Sequence, residues 1–233
     1  MDTSVGPKIG LSNNQLKIIA LICMLLDHVG FELFPNILIF RIIGRLSFPI
    51  FAYMIAEGCY YTKNRLKYLL NILGLGIICQ LVFLVATGSL YQGILLTFSL
   101  SIILIYSIDT LIKKKKVLYI ILSILAIIFV LLFSIGFPII FKKEGFEIDY
   151  TFLGVLLPVL IYYLPNKLTK LIFTSFILIG LAYIYNYTQL YSLLAIPLLI
   201  LYNGSRGKLN LKYLFYIFYP AHLVIIYLIK IAI

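Results

Sequence analysis

Apolar residues run almost without interruption from residue 15 to residue 231, parted only by short polar stretches. A helix crosses the hydrocarbon layer in about 20 residues. Cutting the chain at its polar breaks leaves nine segments, roughly 14–34, 37–61, 66–87, 92–112, 117–141, 151–165, 168–185, 188–203 and 212–231. The sixth to eighth are short for a full crossing. The runs are continuously apolar rather than alternating, which excludes a closed β-barrel. The pattern predicts an all-α polytopic membrane protein with about nine transmembrane helices, built as a single domain over residues 1–233.

With nine spans every second break must face the cytoplasm, and those breaks should carry the Lys and Arg residues. They do: Lys8 and Lys17 come first, then Lys63, Arg65 and Lys67, then Lys113 to Lys116, then Lys167 and Lys170, and last Arg206, Lys208 and Lys212. The intervening breaks read "FPN", "TGSLYQ", "KKEGFEID" and "YNYTQ"; only the third holds cations, and there three acids outnumber two lysines. The expected topology has the N-terminus inside and the C-terminus outside, in the cell membrane. "KKKK" at 113–116 reads as a topology signal rather than a lipid site. No small-residue cleavage site follows the first apolar run, which is expected to remain as an uncleaved span.

Composition agrees. The chain is 63% hydrophobic with a mean hydropathy of +1.11, and only 12% of its residues are charged, against roughly 25% in a soluble domain. The net charge of +11 would fit nucleic acid in a soluble fold, but here the cations lie in short clusters between spans, so no nucleic-acid partner is expected. Cys23, Cys59 and Cys79 all fall inside apolar runs, and no metal-ligand spacing is present, so neither a disulfide nor a metal site is expected.

Once the loop charges are set aside, few ionisable groups remain: Lys17, Asp27, His28, Arg41, Arg45, Glu57 and His222. An Asp or Arg at a helix centre costs ~2.5–3.5 kcal/mol on insertion scales, so such groups face the bundle interior and pair. The expected topology puts Asp27 and His28 at the same level as Arg41 and Arg45, which share one helix face by their i, i+4 spacing. Pro49 cannot donate to the Arg45 carbonyl and should bend the second helix there, and Glu57 follows two to three turns deeper. Pro220 likewise frees the Tyr216 carbonyl beside His222. Lys17 and His28 lie eleven residues apart on one face, ~16 Å of rise. That geometry suits a long polyanionic donor whose phosphates stay inside while its reactive end threads outward.

The blocks "LKIIALICMLLDHVG", "RIIGRLSFPIFAYMIAEG", "DYTFLGVLLP" and "YNGSRGKLNLKYLFYIFYPAHLVIIYL" make the chain resemble the TraX family, whose founding member is associated with N-acetylation of conjugative pilin. The resemblance implies Asp27–His28, Gly44–Arg45, Phe48–Pro49, Tyr219–Pro220 and His222 as characteristic positions. It also implies kinship with transmembrane acyltransferases, which move an acyl group from cytoplasmic acyl-CoA to an acceptor on the far side. In acyltransferase-3 relatives a basic residue precedes the first-helix histidine by eleven positions. Lys17 occupies that place here, with the charge of an Arg but without its planar fork.

The expectation is therefore a membrane acetyltransferase using acetyl-CoA, with Lys17 and cations such as Lys63, Arg65 or Arg206 on the donor phosphates. His28 is expected to act as general base or to take the acetyl group itself. Asp27 or Glu57 would fix the imidazole tautomer, unless Asp27 pairs with Arg45. Arg41 and Arg45 would stabilise the oxyanion or grip the donor, with Tyr219 and His222 on the acceptor side. A peptide, pilin or glycan is the expected acceptor, and membrane lipid surrounds the whole. Two other classes compete: a proton-coupled transporter or flippase using the same ionisable groups, and a non-catalytic membrane subunit.

Overall fold

The computed structural model describes residues 9–207 and 212–232, apart from the side chains of Lys212, Tyr213 and Tyr216. Lys8 and Lys208, two of the expected topology cations, lie outside the described residues. Six helices are long and apolar enough to cross a membrane: α1 (Asn13–Glu32), α2 (Leu38–Tyr61), α3 (Arg65–Thr87), α4 (Ile94–Lys113), α5 (Val117–Ile140) and α7 (Lys167–Ile184). Three further segments, α6 (Thr151–Tyr163), α8 (Tyr187–Ile200) and α9 (Lys212–Ala232), complete the bundle. These segments coincide with the apolar runs read from the sequence. They define a helical membrane protein.

Local chemistry sets the boundaries. At α1 the Ser12 hydroxyl accepts from the Gln15 amide while the Gln15 side chain accepts from the Ser12 amide at 2.8 Å, a reciprocal cap. Asn64 and Asn166 cap α3 and α7, accepting from Lys67 and Thr169 at 2.9 Å. α3 ends at Gly88, whose φ of 68° an L side chain would resist. α2 is interrupted at Arg45–Leu46, one turn before Pro49, which is where the freed Arg45 carbonyl predicts a bend. Two further irregularities precede prolines in the same way: a π-helical turn at Leu132–Gly136 before Pro138 in α5, and a 3-10 start to α8 over Tyr187–Leu194 before Pro197.

The helices alternate in direction, as contacts between their ends show. At the lysine-rich end Leu11 pairs with Leu201 and Asn203, the Asn13 amide donates to the Ser205 carbonyl at 2.8 Å, and Lys167 donates to the Tyr202 carbonyl at 2.7 Å. At the other end Gln92 pairs with Glu147 and Asp149, and Lys230 meets Glu32 at 2.7 Å. α4 is the central post, with 56% of its apolar window buried, against 11% for α3 and 17% for α5, whose exposed Leu, Ile and Phe side chains suit a lipid boundary.

A buried carboxylate pins the lysine-rich end together. Asp109, 4% exposed near the end of α4, accepts from Arg65 at 2.5 Å, Lys113 at 3.0 Å, and the Tyr162 and Tyr163 hydroxyls at 3.0 and 3.1 Å. Arg65, expected on a donor phosphate, is thus committed to Asp109, because an acid this well buried requires a cation beside it. Replacing Asp109 by Ala leaves those donors without an acceptor, whereas Arg65, 41% exposed, is more easily spared. Thermal unfolding in detergent is expected to drop further for Asp109→Ala than for Arg65→Ala; the reverse order would show that Asp109 is not the anchor.

Candidate functional site

α1 and α2 meet closely because both carry glycine at the crossing. A Cβ on Gly30 would overlap the Phe40 side chain, and one on Gly44 would overlap the Asp27 carboxylate. Into that space Asp27 extends toward α2. Its carboxylate accepts from Arg45 Nη2 at 2.5 and 2.6 Å and meets Arg41 Nη1 at 2.9 Å; Arg41 also donates to the Asp27 carbonyl at 3.2 Å. Arg41 lies over the Phe31 ring, 5.0 Å from its centroid. One acid thus lies between two guanidinium groups at this level.

His28 points elsewhere, since neighbouring side chains on a helix diverge by about 100°. It faces α9 and His222. The rings are 5.0 Å apart at 60°, with His222 Nε2 3.2 Å from His28 Nδ1. Two backbone carbonyls decide the tautomers: His28 Nδ1 lies 2.9 Å from the Met24 carbonyl and His222 Nδ1 lies 2.9 Å from that of Phe218. Carbonyls only accept, so both Nδ1 atoms carry the proton in the neutral rings. His222 Nε2 then offers its lone pair to the His28 Nδ1–H, and His28 Nε2 keeps a free lone pair. His222 is 4% exposed, while His28 is only partly buried. The pair therefore leaves one basic nitrogen with a lone pair and backs it with a second imidazole, able to share the charge when the first takes a proton. Neither Asp27 nor Glu57 orients His28: Asp27 pairs with Arg45, the alternative the sequence left open, and Glu57 accepts from the Tyr202 hydroxyl at 3.0 Å, toward the lysine-rich end. Tyr219 does join the histidines, its ring 5.5 Å from that of His222 and within electrostatic range of Asp149 and Tyr150.

Three residues at this level escaped the sequence reading. Gln189, 4% exposed in the 3-10 start of α8, accepts from Arg45 Nη1 at 3.1 Å. Tyr150 stacks on Phe48 with centroids 3.8 Å apart, and its φ of 61°, followed by 51° at Thr151, is a conformation that non-glycine residues hold only when packing enforces it. Asp149, just before it, accepts from the Tyr91 hydroxyl at 2.7 Å, and its backbone is fixed by Gln92 and Thr97. Burial pushes the Asp149 carboxyl up to about 6, opposed by Tyr91 and by the charge of Arg45. The consecutive positive φ values have no signal in the sequence, and an uncharged Gln at a loop edge has little.

Lys17 sits one face below His28, its ammonium 5.5 Å from the Phe215 ring centroid and near Arg206. Two cavities lie elsewhere: one of about 350 Å³ among α3, α4 and α5, lined by Gln80, Gln92, Ser99 and Phe129 among others, and one of about 250 Å³ lined by Tyr106 and Ser123 among others. Among the described residues, no group of three His, Cys, Asp or Glu side chains is arranged to hold a metal ion.

A helical membrane bundle with a histidine pair and an arginine-clamped acid across α1, α2 and α9 is the class of protein these features define. The chain belongs to the TraX family, whose model, described as TraX protein, matches residues 12–230. It is 25% identical to the probable fimbrial assembly protein FimC, serogroup H1, of Dichelobacter nodosus, over 94% of this chain and 95% of that one. It is also 35% identical to the uncharacterized protein RP591 of Rickettsia prowazekii (strain Madrid E), over 28% of this chain and 25% of that one. No solved structure matches.

Two outcomes follow from this geometry. Gly44→Ala should drive Asp27 off the arginines and lower the unfolding temperature, overpacking of this kind costing about 1–3 kcal/mol; an unchanged transition would mean that the crossing is not tight. For Asp149 the raised pKa makes ionisation unfavourable in the fold, so its contribution to stability is present below about pH 4 and lost as the pH rises through about 6. Asp149→Asn should therefore lose less thermal stability than wild type between those limits, as read by paired melting curves.

Proposed function

We propose that the protein is a cell-membrane acetyltransferase that passes acetyl from cytoplasmic acetyl-CoA to an amine or hydroxyl acceptor on the outer side. The observation that carries this reading is the imidazole pair, which leaves His28 Nε2 as a base one residue from the arginine-clamped Asp27. In the proposed topology the lysine-rich end is cytoplasmic, nine segments cross or enter the bilayer, and His28 lies in the outer half of α1.

The residues suit the donor at both ends. Lys17 and Arg206 offer cations for the phosphates of acetyl-CoA, and Lys63 remains exposed nearby in sequence, whereas Arg65 is consumed by Asp109. At the reacting end His28 Nε2 takes the proton of the acceptor as its nitrogen or oxygen adds to the thioester carbonyl. Arg41 and Arg45 stabilise the oxyanion that develops. Collapse breaks the C–S bond, and the proton on His28 passes to the departing thiolate, giving free CoA and the acetylated acceptor. His222 is a positioning residue: it fixes the tautomer and shares the charge while His28 is protonated. Family membership supports acylation, and the fimbrial assembly role in the name of the Dichelobacter nodosus relative supports an envelope peptide as acceptor, with glycans as the other candidate.

The test uses the full chain in nanodiscs with radiolabelled acetyl-CoA as donor and envelope vesicles from cells lacking the protein as acceptor. Wild type should transfer label, His28→Ala should abolish transfer while still binding acetyl-CoA, and His222→Ala should lower kcat and shift its pH profile with little change in the KM for acetyl-CoA. Wild-type turnover in His28→Ala would remove this mechanism, and proton-coupled flux in liposomes without acetyl transfer would favour a transporter.

A further inference from the structure

The two cavities away from the histidines are parts of one groove. α3 and α5 both pack on α4 rather than on each other, and Ile103 of α4 lines both cavities. From Ile103 toward Gln92 the walls are hydrocarbon, with Leu73 and Ile77 of α3, Leu96 of α4, and Phe129 and Phe133 of α5. The polar side chains in this half turn to the backbone: Gln80 donates to the Tyr91 carbonyl at 2.8 Å, Gln92 to that of Leu90 at 2.6 Å and Ser99 to that of Leu95 at 2.8 Å. From Ile103 toward the lysine-rich end the walls carry hydroxyls, on Ser107, Thr110, Tyr119 and Ser123. Ser107 and Ser123 are buried, 8% and 5% exposed, yet among the described residues neither hydroxyl has a hydrogen-bond partner. Ser99, Ser101, Ser134 and Ser175 all donate to the carbonyl four residues back. Unspent hydroxyls at membrane depth call for oxygen acceptors from outside the chain.

Cations close the foot of the groove. Lys114 holds its ammonium 5.7 Å from the centroid of the Tyr119 ring, and Arg65 lies over the Tyr106 ring, another part of the same wall. Asp109 meets the charges of Arg65 and Lys113, whereas Lys114, Lys115 and Lys116 form no ion pair among the described residues. α5 starts beside them without a side-chain cap, adding the positive end of its dipole. We infer that the groove binds one anionic glycerophospholipid of the leaflet at the lysine-rich end. Its phosphate lies at Lys114 to Lys116, its ester oxygens accept from Ser107 and Ser123, and an acyl chain runs past Ile103 to Phe129 and Phe133. Cation, hydroxyl and hydrocarbon follow one another along the groove in the order in which such a lipid needs them. The span agrees: from Thr110 to Leu96 α4 rises about 21 Å, and one leaflet with its headgroup layer is about 20–22 Å deep. A nucleotide thioester matches the foot but has no chain for the apolar half. The lysine run, a topology signal by its place, thus gains a second use, and the inference is independent of the acetyltransferase reading.

The test titrates the full chain in detergent micelles with phosphatidylglycerol and with phosphatidylcholine of the same acyl chains, counting retained lipid by native mass spectrometry. One phosphatidylglycerol should be held at concentrations where phosphatidylcholine is not. The double variant Lys114→Gln, Lys115→Gln leaves Lys113 and Lys116 in place and should weaken retention by roughly 25-fold, about fivefold for each lysine lost. The double variant Lys142→Gln, Lys143→Gln removes the same charge from exposed positions at the opposite end and should leave retention unchanged. Ser123→Leu, which fills the hydroxyl-lined half, should abolish it; should that variant fail to fold, the exposed lysine pairs still decide. Phosphatidylglycerol with a photoreactive acyl chain should crosslink to the walls at Ile77, Phe129 or Phe133. Equal retention of the two lipids, or equal losses in the two lysine variants, overturns the inference. Crosslinks outside the groove, a second copy of the chain seated on α3 and α5, or displacement of the lipid by acetyl-CoA overturn it as well.

Discussion

The Asp27 clamp is the interaction on which the rest of the site depends. Two guanidinium groups on one face of α2 would repel each other in a low-dielectric bundle, and the carboxylate between them removes that cost. The arrangement is possible only because Gly44 leaves room for Asp27 and Gly30 lets the backbones approach. With Asp27 drawn toward α2, the helix geometry turns His28 away from it and toward α9. A single charge pairing therefore orients both the two guanidinium groups and the base.

From that division of α1 the functions of the other helices follow. α9 supplies His222 and Tyr219, and the i−4 carbonyls of both histidines set their protonation pattern without a carboxylate. α8 is too short to traverse the hydrocarbon as a straight helix, and its 3-10 start brings Gln189 to Arg45. The loop before α6 contributes Asp149 and Tyr150 through a backbone turn that α4 holds in place. Four parts of the chain distant in sequence thus converge on one level, while α3 and α5 face outward with their apolar surfaces.

Much of this was legible in the sequence. Nine apolar segments are visible because apolar runs and charged breaks are coded by composition alone, and the bend in α2 because Pro49 removes one specific hydrogen bond. The grouping of Asp27, Arg41 and Arg45 followed from spacing and the cost of burying charge. The contact between the two histidines did not, since it depends on how α1 and α9 are rotated, and apolar residues on every side of both helices leave rotation undetermined. Asp109, inside the fourth apolar run but close to the lysines that follow it, does not stand out in the sequence; only the fold brings Tyr162 and Tyr163 onto it. Gln189 fell at the edge of "YNYTQ", where an amide costs little and signals little.

Asp27 and Asp109 separate what otherwise looks like one motif used twice. Each is a buried acid facing two cations, and burial of such a group is weak evidence of function, because pairing alone accounts for it. The count of donors differs. Around Asp109 the cations are joined by two tyrosine hydroxyls, and all four groups end on the carboxylate, so that cluster is complete as it stands. Around Asp27 the hydrogen bonds run outward from the acid through Arg45 to Gln189. A cluster that is balanced internally holds helices together. One whose hydrogen bonds pass from α1 through α2 to α8 joins three elements one residue from the histidine pair, and that difference separates the two buried acids of the bundle.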